Sequence, residues 1–453
     1  MEFCQRTEKI FTAADNHYLS TCRQPYCVYS KQRRGAIDIH FILMPLPHQD
    51  KRDYFLALSA TILTLFATNA ALEIISSIQH RDLSIDQMQA LEIETAYSHV
   101  PLDRRVKMEV VKDMRAKGQN AYPSAYTHHI LGCMTDEQKQ SGHFLTPLGF
   151  KSNAIYVLCN ESGQWAISKT DHYGFNNEDS GTWYSQNPRD RAVVLLGDSM
   201  LEGQCVQQGQ DIASRLRQNG IRAISLGMAG SGPIRELATL KEYALPLRPK
   251  AVFWLFTEIN DLDDIITEAH DALLKQYLQP HFSQHLLNKQ AEIDQIWENF
   301  LRDRIQENEH RHGSPIALSQ RLKPYFQRIK AYFTLYQIRK RLALTRNHLR
   351  TQQGLQLLGK ILRNAKELSN ANGAKLVLVY LPSRTSFTGE DQPTRKLVKE
   401  LSASLGISTI DIYEAFSNRG NPFQFFPKPR AFPHYKPSGY QVVAEAIGLY
   451  LKQ

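Results

Sequence analysis

Short, continuous hydrophobic runs alternate with amphipathic stretches over the second half of the sequence. The runs are Ala192–Leu196, Ile221–Leu226, Ala251–Thr257, Lys375–Tyr380 and Ile407–Ile412. Apolar runs of this length are typical of strands buried on both faces of a parallel sheet. The stretches predicted as helices are Ile212–Gln218, Ile234–Tyr243, Pro393–Leu405 and Ser438–Leu451. This alternation predicts an α/β domain over residues 191–453, with a flavodoxin-like sheet of five parallel strands in the order 2-1-3-4-5 and a helical insertion over 264–372.

A glycine turn with a serine follows the first predicted strand. Gly197 permits a sharp change of backbone direction, and Asp198 can hold the turn with its side chain. Ser199 then lies near a helix N-terminus, where free backbone amides favour developing negative charge. Because ligands bind beyond the carboxyl ends of parallel strands, Ser199 is a candidate nucleophile. The alternative is that this triplet only begins a helix after a strand.

Residues 55–75 are predicted to be a transmembrane anchor. Phe55–Leu72 is a run of eighteen residues without a charge, which lies in the lower range for a membrane-spanning helix. The run has no convincing cleavage site of small residues, so we expect an uncleaved signal anchor. A buried core helix is the alternative, favoured by Asn69 and Glu73.

The residues before this run predict its orientation. Lys51 and Arg52 precede it directly, and basic residues at one end favour a cytoplasmic location for that end. We therefore expect residues 1–54 to form a cytoplasmic segment, with Met44 as an alternative start. The large domain after the anchor is then expected outside the cytoplasm.

Two regions separate the anchor from the α/β domain. Residues 76–121 are charged and helical in pattern and end near Gly118, which predicts a helical connector. Residues 122–190 contain short strand-like segments such as Ala154–Cys159 and turn signals such as Asn160–Gly163, which predicts a small irregular subdomain.

The positive charge of the chain is concentrated in one stretch. The net charge is +9, and Arg321–Arg350 holds nine Lys or Arg residues with no Asp or Glu, while the other 45 basic residues match 45 acidic ones. This local excess does not indicate a nucleic-acid partner. Aromatic and aliphatic residues recur in the stretch at near-helical spacing, which is typical of a helix on an anionic membrane surface. A lid helix with a solvated basic face and a basic cradle for an acidic glycan are alternatives.

The cysteines form no metal-binding or redox motif. They are Cys4, Cys22, Cys27, Cys133, Cys159 and Cys205, and none forms a C-x-x-C pair. We therefore expect neither a metal site nor a cofactor. A disulfide between Cys133 and Cys159 is permitted if the domain lies in an oxidising compartment.

Four loops at predicted strand ends carry the candidate chemistry. They are GDSM at Gly197–Met200, LGMAGSGP at Leu226–Pro233, EIND at Glu258–Asp261 and PHYKPSGY at Pro433–Tyr440. Together they resemble the four blocks of the SGNH (GDSL-type) hydrolases, in the order and rough spacing of that family. The resemblance covers residues 191–264 and 375–453.

This resemblance implies the SGNH hydrolase fold and a set of site residues. Ser199 is the implied nucleophile and His434 the implied general base. Gly230 and Asn260 are the implied oxyanion-hole donors beside the Ser199 amide, and Asp198 and Asp261 are expected to support the site. The Asp198 and Asp261 positions come from the first and third blocks.

Elementary chemistry is consistent with these roles. A serine hydroxyl needs an adjacent base to accept its proton, and a histidine titrating near its ordinary pKa of about 6.5 can do so. The family usually has an aspartate three residues before the histidine, but Ala431 occupies that position here. A backbone carbonyl or Asp411, at the end of the fifth strand, would then have to orient the His434 ring.

A second resemblance concerns placement in the cell. Tyr173–Asn177 matches a YGFxN-like segment of membrane-anchored bacterial SGNH proteins. The surrounding polar and aromatic patch, Asp171–Asn177, is either a surface turn or a wall of the active site. The resemblance implies a single-pass inner-membrane protein with its catalytic domain in the periplasm, attached to the membrane through Phe55–Ile75.

Two functions are compatible with these observations. The first is a serine esterase or acyltransferase acting on an ester-bearing small molecule or glycan, such as an O-acetylated envelope polysaccharide. The second is a non-catalytic SGNH-like module that binds a glycan or an assembly partner, with Ala431 as the mark of lost chemistry. Reactivity of Ser199 towards a phosphonate distinguishes them.

Overall fold

A computed structural model describes residues 51–79, 87–132, 144–178, 191–312, 344–388, 393–429 and 432–453. The strands in this part of the chain are β1 Ala121–Pro123, β2 Ile155–Val157, β3 Ile167–Lys169, β4 Val193–Gly197, β5 Ala223–Gly227, β6 Ala251–Thr257, β7 Lys375–Leu381 and β8 Ser408–Asp411. The first helices are α1 Lys51–Gln79, α2 Gln87–Ser98, α3 Lys107–Ala116, α4 Thr127–Gly132, α5 Ser199–Glu202, α6 Ile212–Gln218 and α7 Pro233–Thr239. The later helices are α8 Asp261–Glu268, α9 Ala272–Gln276, α10 Gln290–His312, α11 Leu344–Ala371, α12 Pro393–Ser404, α13 Ile412–Ser417 and α14 Pro437–Tyr450.

The α/β domain is built on a five-stranded sheet. Its strand order is β5-β4-β6-β7-β8, and the described neighbours all pair in parallel. Counted within the sheet, this is the predicted order 2-1-3-4-5, so the predicted fold class is confirmed. The register places Leu196 opposite both Leu226 and Trp254, which brings the carboxyl ends of three strands to one edge.

Alternate residues of the central strands supply two separate cores. Leu196 faces one core, together with α7, α8 and α11 through residues such as Leu237, while Leu195 faces the other, with α6, α13 and α14 through residues such as Val443. A strand buried on both faces is apolar at nearly every position. This explains why β4, β5 and β6 were recognisable from their sequence.

A second, three-stranded sheet precedes the α/β domain. β1 pairs with β2 in parallel, and β2 pairs with β3 antiparallel. Its core continues into the α/β domain through Phe150, which packs on Trp297 of α10, and the Trp297 indole donates a hydrogen bond of 2.9 Å to the Gly149 carbonyl. The helices of the predicted insertion therefore contact the small sheet.

The largely buried segment Asp171–Asn177 connects the small sheet to the five-stranded sheet. Asn177 Nδ2 donates to the Ser225 carbonyl of β5, and Asn177 Oδ1 accepts from the Ser225 amide, both at 2.9 Å. Asn176 Nδ2 donates to the carbonyl of Glu202 at the end of α5. The segment thus fixes the small sheet behind the strand ends, which accounts for its density of amide side chains.

Helix α1 is a candidate membrane span. Phe55–Leu72 has a mean hydropathy of 1.8, and 6% of it is buried inside the protein. Phe55 and Leu63 are about 70% exposed, at 71% and 69%. By length and composition this helix can cross a membrane, and its side chains face outward as lipid contact requires.

Several predicted features lie outside the described residues. Most of the basic stretch Arg321–Arg350 is among them, together with residues 1–50, Cys133 and Ala431. The described connector comprises α2 and α3 with residues 99–106 between them. The domain boundaries drawn from the sequence remain predictions.

Candidate active site

The nucleophile candidate lies where β4 meets α5. Asp198 caps this short helix, because its Oδ1 accepts a hydrogen bond of 2.9 Å from the Met200 amide. Gly197 is required for close packing: a Cβ there would lie 3.0 Å from Leu201 Cβ and 3.2 Å from Leu255 Cβ. The turn therefore holds Ser199 at the sheet edge, as the sequence predicted.

The structure brings Ser199 and His434 together with a third group. His434 Nε2 lies 3.1 Å from Ser199 Oγ, and His434 Nδ1 lies 2.8 Å from Glu161 Oε1. The side chains of His434 and Glu161 are each 12% exposed. A carboxylate on Nδ1 fixes the imidazole tautomer with its acceptor nitrogen towards the serine hydroxyl. This is the geometry of a nucleophile, base and orienting acid.

Asp411 does not occupy the orienting position that the sequence suggested for it. Its Oδ2 accepts hydrogen bonds from Arg395 and Lys399, both at 2.7 Å, and its Oδ1 caps α13 by accepting from the Tyr413 amide. These charge-assisted bonds commit the carboxylate to β8 and α12. The orienting carboxylate comes from the small sheet instead.

The electrostatic surroundings of His434 favour its protonated form. Burial lowers the pKa of His434, but the charge and hydrogen bond of Glu161 raise it, with further contributions from the charges of Asp198 and Glu202. The pKa of His434 lies above its ordinary value as a result. An imidazolium formed by proton transfer from Ser199 would be stabilised in the same way.

The predicted oxyanion-hole residues lie around the same strand ends. Gly230 has a φ of +74°, and a Cβ there would approach His128 Nδ1 to 3.2 Å, so glycine leaves its backbone accessible. Asn260 Nδ2 donates to Asp198 Oδ2 at 3.0 Å and to Asp264 Oδ2 at 2.7 Å. Both amide hydrogens of Asn260 are therefore engaged by carboxylates, and its contact with an oxyanion requires one of them to be released.

These observations together decide the fold family. The sheet order, the GDS turn at the end of β4 and a histidine before α14 within reach of that serine are the topology and arrangement expected of the SGNH hydrolase fold. The α/β domain has the SGNH hydrolase fold.

Solved structures that align with this chain include proteins described as acylhydrolases and esterases. A lipase/acylhydrolase from Enterococcus faecalis is 14% identical, with 58% of this chain and 95% of that chain covered and a TM-score of 0.31. A putative acylhydrolase from Bacteroides fragilis is 15% identical, covering 59% of this chain and 88% of that one with a TM-score of 0.31. An acetyl xylan esterase is 12% identical, covering 57% of this chain and 99% of that one with a TM-score of 0.32. These identities and scores are too low to indicate an activity or a substrate.

No protein-family model matches the chain. No curated protein matches it either.

A group of buried acids supports the SGNH strand ends. Asp198 also accepts from Thr257 Oγ1 at 3.0 Å, and Asp261 Oδ2 accepts from the Thr257 amide at 2.7 Å. Burial raises the pKa of Asp261 well above its ordinary value, with the charge of Asp198 adding to the effect. Burial likewise raises the pKa of Asp264 to about 7. Asp198 and Asp261 thus hydrogen-bond to the turn after β4 and to the end of β6. Their supporting role in the reaction stays a prediction.

A disulfide lies beside the base. It joins Cys159 to Cys205, so the pairing of Cys159 with Cys133 considered from the sequence is wrong. Cys205 Sγ also lies 3.3 Å from His434 Nδ1. One donor atom each from Cys159, Cys205, Glu161 and His434 lies within 4.8 Å of the others. Coordination of a metal by the two cysteines needs thiolates, and the disulfide withholds them.

The connector also contacts the loop that carries His434. Glu94 of α2 is 2% exposed; its Oε1 lies 2.9 Å from Lys436 Nζ and its Oε2 accepts from the Lys428 amide at 2.7 Å. Phe432 packs against Leu91 of the same helix. Sequence reasoning identified neither Glu94 nor Glu161. In the sequence, Glu94 is one acidic residue among several in a predicted helix, and Glu161 lies in the predicted turn Asn160–Gly163.

Proposed function

We propose that the protein is a membrane-anchored serine esterase or acyltransferase that uses Ser199, His434 and Glu161 as a catalytic triad. The observation that carries the proposal is the chain of contacts from Ser199 Oγ through the two nitrogens of His434 to the Glu161 carboxylate, at 3.1 and 2.8 Å. Ala431 in place of the usual aspartate then does not imply a loss of catalytic activity, because Glu161 supplies the carboxylate. A carboxylate is in place, although it comes from another part of the chain.

The proposed reaction proceeds by acyl transfer. Ser199 Oγ attacks the carbonyl carbon of an ester while His434 Nε2 accepts the hydroxyl proton. Collapse of the tetrahedral intermediate breaks the ester C–O bond, and the alcohol leaves with the proton from Nε2. Water or a second alcohol then repeats the sequence on the acyl-enzyme and frees Ser199, which gives hydrolysis or transfer respectively.

We assign the oxyanion to donors at two strand ends. The Ser199 and Gly230 amides supply two of them, and Asn260 supplies a third once its amide turns from Asp264 towards the substrate oxygen. The proposed turn is favoured when Asp264, with a pKa raised to about 7 by burial, takes up a proton and ceases to attract the amide strongly. Preorganised donors of this kind typically contribute about a hundredfold to a thousandfold in rate each.

We propose that the site faces the periplasm and acts on acyl esters, O-acetyl groups on an envelope polysaccharide being the expected substrate class. The Cys159–Cys205 disulfide supports a location outside the reducing cytoplasm. The uncharged Phe55–Leu72 helix supports attachment to the membrane. One of the similar solved structures is an acetyl xylan esterase, which is consistent with this class without showing it here.

The full chain in detergent tests the proposal. Wild-type protein should hydrolyse a short-chain aryl acetate and incorporate a fluorophosphonate at Ser199. Ser199→Ala should lose both, with a rate loss on the order of a millionfold, because the nucleophile works as a unit with its base. Ser417→Ala is the matched control, since Ser417 is exposed and its hydroxyl donates only within α13, to the Tyr413 carbonyl.

The opposite result has a defined meaning. If wild-type protein neither turns over aryl esters nor reacts with the phosphonate, while its thermal unfolding is normal, the esterase mechanism is wrong. The glycan-binding alternative would then be tested by titration with O-acetylated and de-acetylated polysaccharide.

A further inference from the structure

The loop that carries Glu161 belongs to a different sheet from the loops that carry Ser199 and His434. Glu161 lies between β2 and β3, two residues after Cys159. Cys205 lies three residues after α5, the helix that begins at Ser199, and has a φ of +66°. The disulfide therefore joins the loop of the orienting acid to the loop of the nucleophile.

Hydrogen bonds hold the other side of the Glu161 loop to the connector. The Asp103 amide donates to the Gly163 carbonyl at 2.7 Å, and Asn160 Nδ2 donates to the Asp103 carbonyl at 3.3 Å. These bonds fix the loop relative to residues 101–105. Leu102 in this segment packs against the cluster that contains Phe432, so the connector is a second, non-covalent attachment between the Glu161 loop and the His434 loop. The disulfide is the covalent attachment, and it runs to the loop of Ser199.

From this arrangement we infer that the Cys159–Cys205 disulfide is a positioning element of the catalytic base, which keeps the Glu161 carboxylate on His434 Nδ1. The inference rests on the triad proposed above. Without the disulfide, Glu161 can turn from a partly buried position to solvent, where a carboxylate is better hydrated. His434 then loses the partner that selects its tautomer.

The position of Cys205 adds a second consequence. Its sulfur is 3.3 Å from His434 Nδ1, the nitrogen that Glu161 occupies. In the disulfide this sulfur is only a weak acceptor. As a free thiol it could donate a hydrogen bond to Nδ1 once Glu161 has moved away, which favours the tautomer with the proton on Nε2, and that tautomer cannot accept the Ser199 proton. The disulfide thus prevents a competing donor from reaching the base.

Three cysteine variants separate these effects. Cys159→Ala removes the disulfide and leaves the Cys205 thiol beside His434. Cys205→Ala removes the disulfide and that thiol, and the double variant removes both sulfurs. Cys205→Ala and the double variant should lower kcat/KM for the aryl acetate by about a hundredfold, the loss expected of a misplacement near 1 Å. Cys159→Ala, which keeps the Cys205 thiol, should lower it further. Cys133→Ser, which leaves this disulfide intact, should match wild type.

The pH profile supplies a readout that a merely structural role would not move. Movement of the Glu161 charge away from His434 should shift the acid limb of kcat/KM to lower pH in Cys205→Ala, as is expected of Glu161→Gln, because that charge raises the pKa of His434. Adding Glu161→Gln to Cys205→Ala should then cause little further loss. Reduction of wild-type protein with a dithiol should reproduce the Cys159→Ala profile and be reversed by reoxidation.

Reduction is performed with a metal chelator present, since the freed thiols lie with Glu161 and His434 in a group that can bind a metal. Unchanged activity and pH profile in Cys205→Ala, with normal phosphonate labelling of Ser199, would overturn the inference while leaving the esterase proposal intact. Failure of labelling in the wild-type protein would instead count against the esterase proposal. Circular dichroism and thermal unfolding confirm that each variant is folded.

Discussion

Ser199 and His434, the proposed nucleophile and base, are held in place by different means. Ser199 is positioned from within the α/β domain: the GDS turn continues β4 directly, and Asp198 is fixed by the Met200 amide and by Thr257 of β6. His434 is positioned from outside it, by Glu161 of the small sheet and by Glu94 through the Lys436 ion pair. Changes outside the α/β domain should therefore impair the base and spare the nucleophile's own geometry.

The largest effect that would test this contrast is expected from Glu161→Gln. A glutamine keeps the size of the side chain but can present its amide nitrogen to Nδ1 and favour the wrong tautomer, so kcat/KM should fall by roughly a thousandfold to ten-thousandfold. Thermal unfolding should change little by comparison. Aryl-ester kinetics measure the loss, and Asp411→Asn, which alters the acid bound to Arg395 and Lys399, is the matched control. Equal losses in the two variants would contradict the role of Glu161.

A smaller effect is expected at the connector. Glu94→Gln removes the partner of Lys436, and because Lys436 remains 30% exposed we expect a loss of about 1–3 kcal/mol in the free energy of unfolding rather than a larger one. A displaced His434 loop should also reduce kcat/KM by about tenfold to a hundredfold. Denaturant unfolding and ester kinetics measure the two effects.

The control for this variant lies on the same helix. Glu92 pairs with Arg104, and both side chains are well exposed, at 48% and 65%. Glu92→Gln should change stability by less than about 0.5 kcal/mol and leave kinetics unaltered. If the two glutamine variants behave alike, α2 does not position the base.

The smallest effect is a shift in pH dependence. His434 must be neutral to accept the Ser199 proton, so the acid limb of kcat/KM should rise with pH, with a midpoint above about 6.5 because the pKa of His434 is raised. Deprotonation of Asp264, whose pKa is raised to about 7, acts in the opposite direction through Asn260. Glu161→Gln should move the midpoint of its residual activity to lower pH. The buried carboxyl of Glu202, whose pKa is raised to about 7 by burial, titrates in the same range, and Glu202→Gln should cause a smaller shift in the same direction.

The same shift predicts a stability trend of definite sign. The pKa of His434 is higher in the folded than in the unfolded protein, so its protonation stabilises the fold. This contribution is complete below about pH 6.5 and is lost as the pH rises through the folded-state value. Thermal unfolding of wild type and His434→Gln is measured between pH 5 and 9 in steps of ~0.5 pH unit. The difference in stability between the two proteins at each pH gives the contribution of His434. An increase of that difference with pH would contradict the sign.

The sequence was most informative where structure is local. The strands β4 to β7 were predictable because an apolar run buried on both faces is visible without knowing its neighbours. Ser199 and His434 were predictable because each lies in a block of characteristic residues. Asp411 was the wrong candidate for the orienting acid, because an aspartate between a strand and a helix is also typical of a helix N-cap. Asp411 is the N-cap of α13.

Glu161 could not be predicted for a physical reason. Its partner His434 is 273 positions away in sequence, and the two meet only because the small sheet is docked by Asn177 and by the Cys159–Cys205 disulfide. No periodicity records such a contact. The correct disulfide was equally hidden, since six cysteines without a paired motif permit many pairings.

The distance along the chain between Glu161 and His434 also bears on when the proposed catalysis could begin. Contacts between residues far apart in sequence are costly in loop-closure entropy and form late in folding. Ribosomal synthesis proceeds from the amino end, so β4 and Ser199 are made long before the segment that bears His434. A growing or partly folded chain therefore displays a serine without a base. The proposed reaction with esters therefore requires α14 to have docked, which delays it until the chain has reached its assembled state.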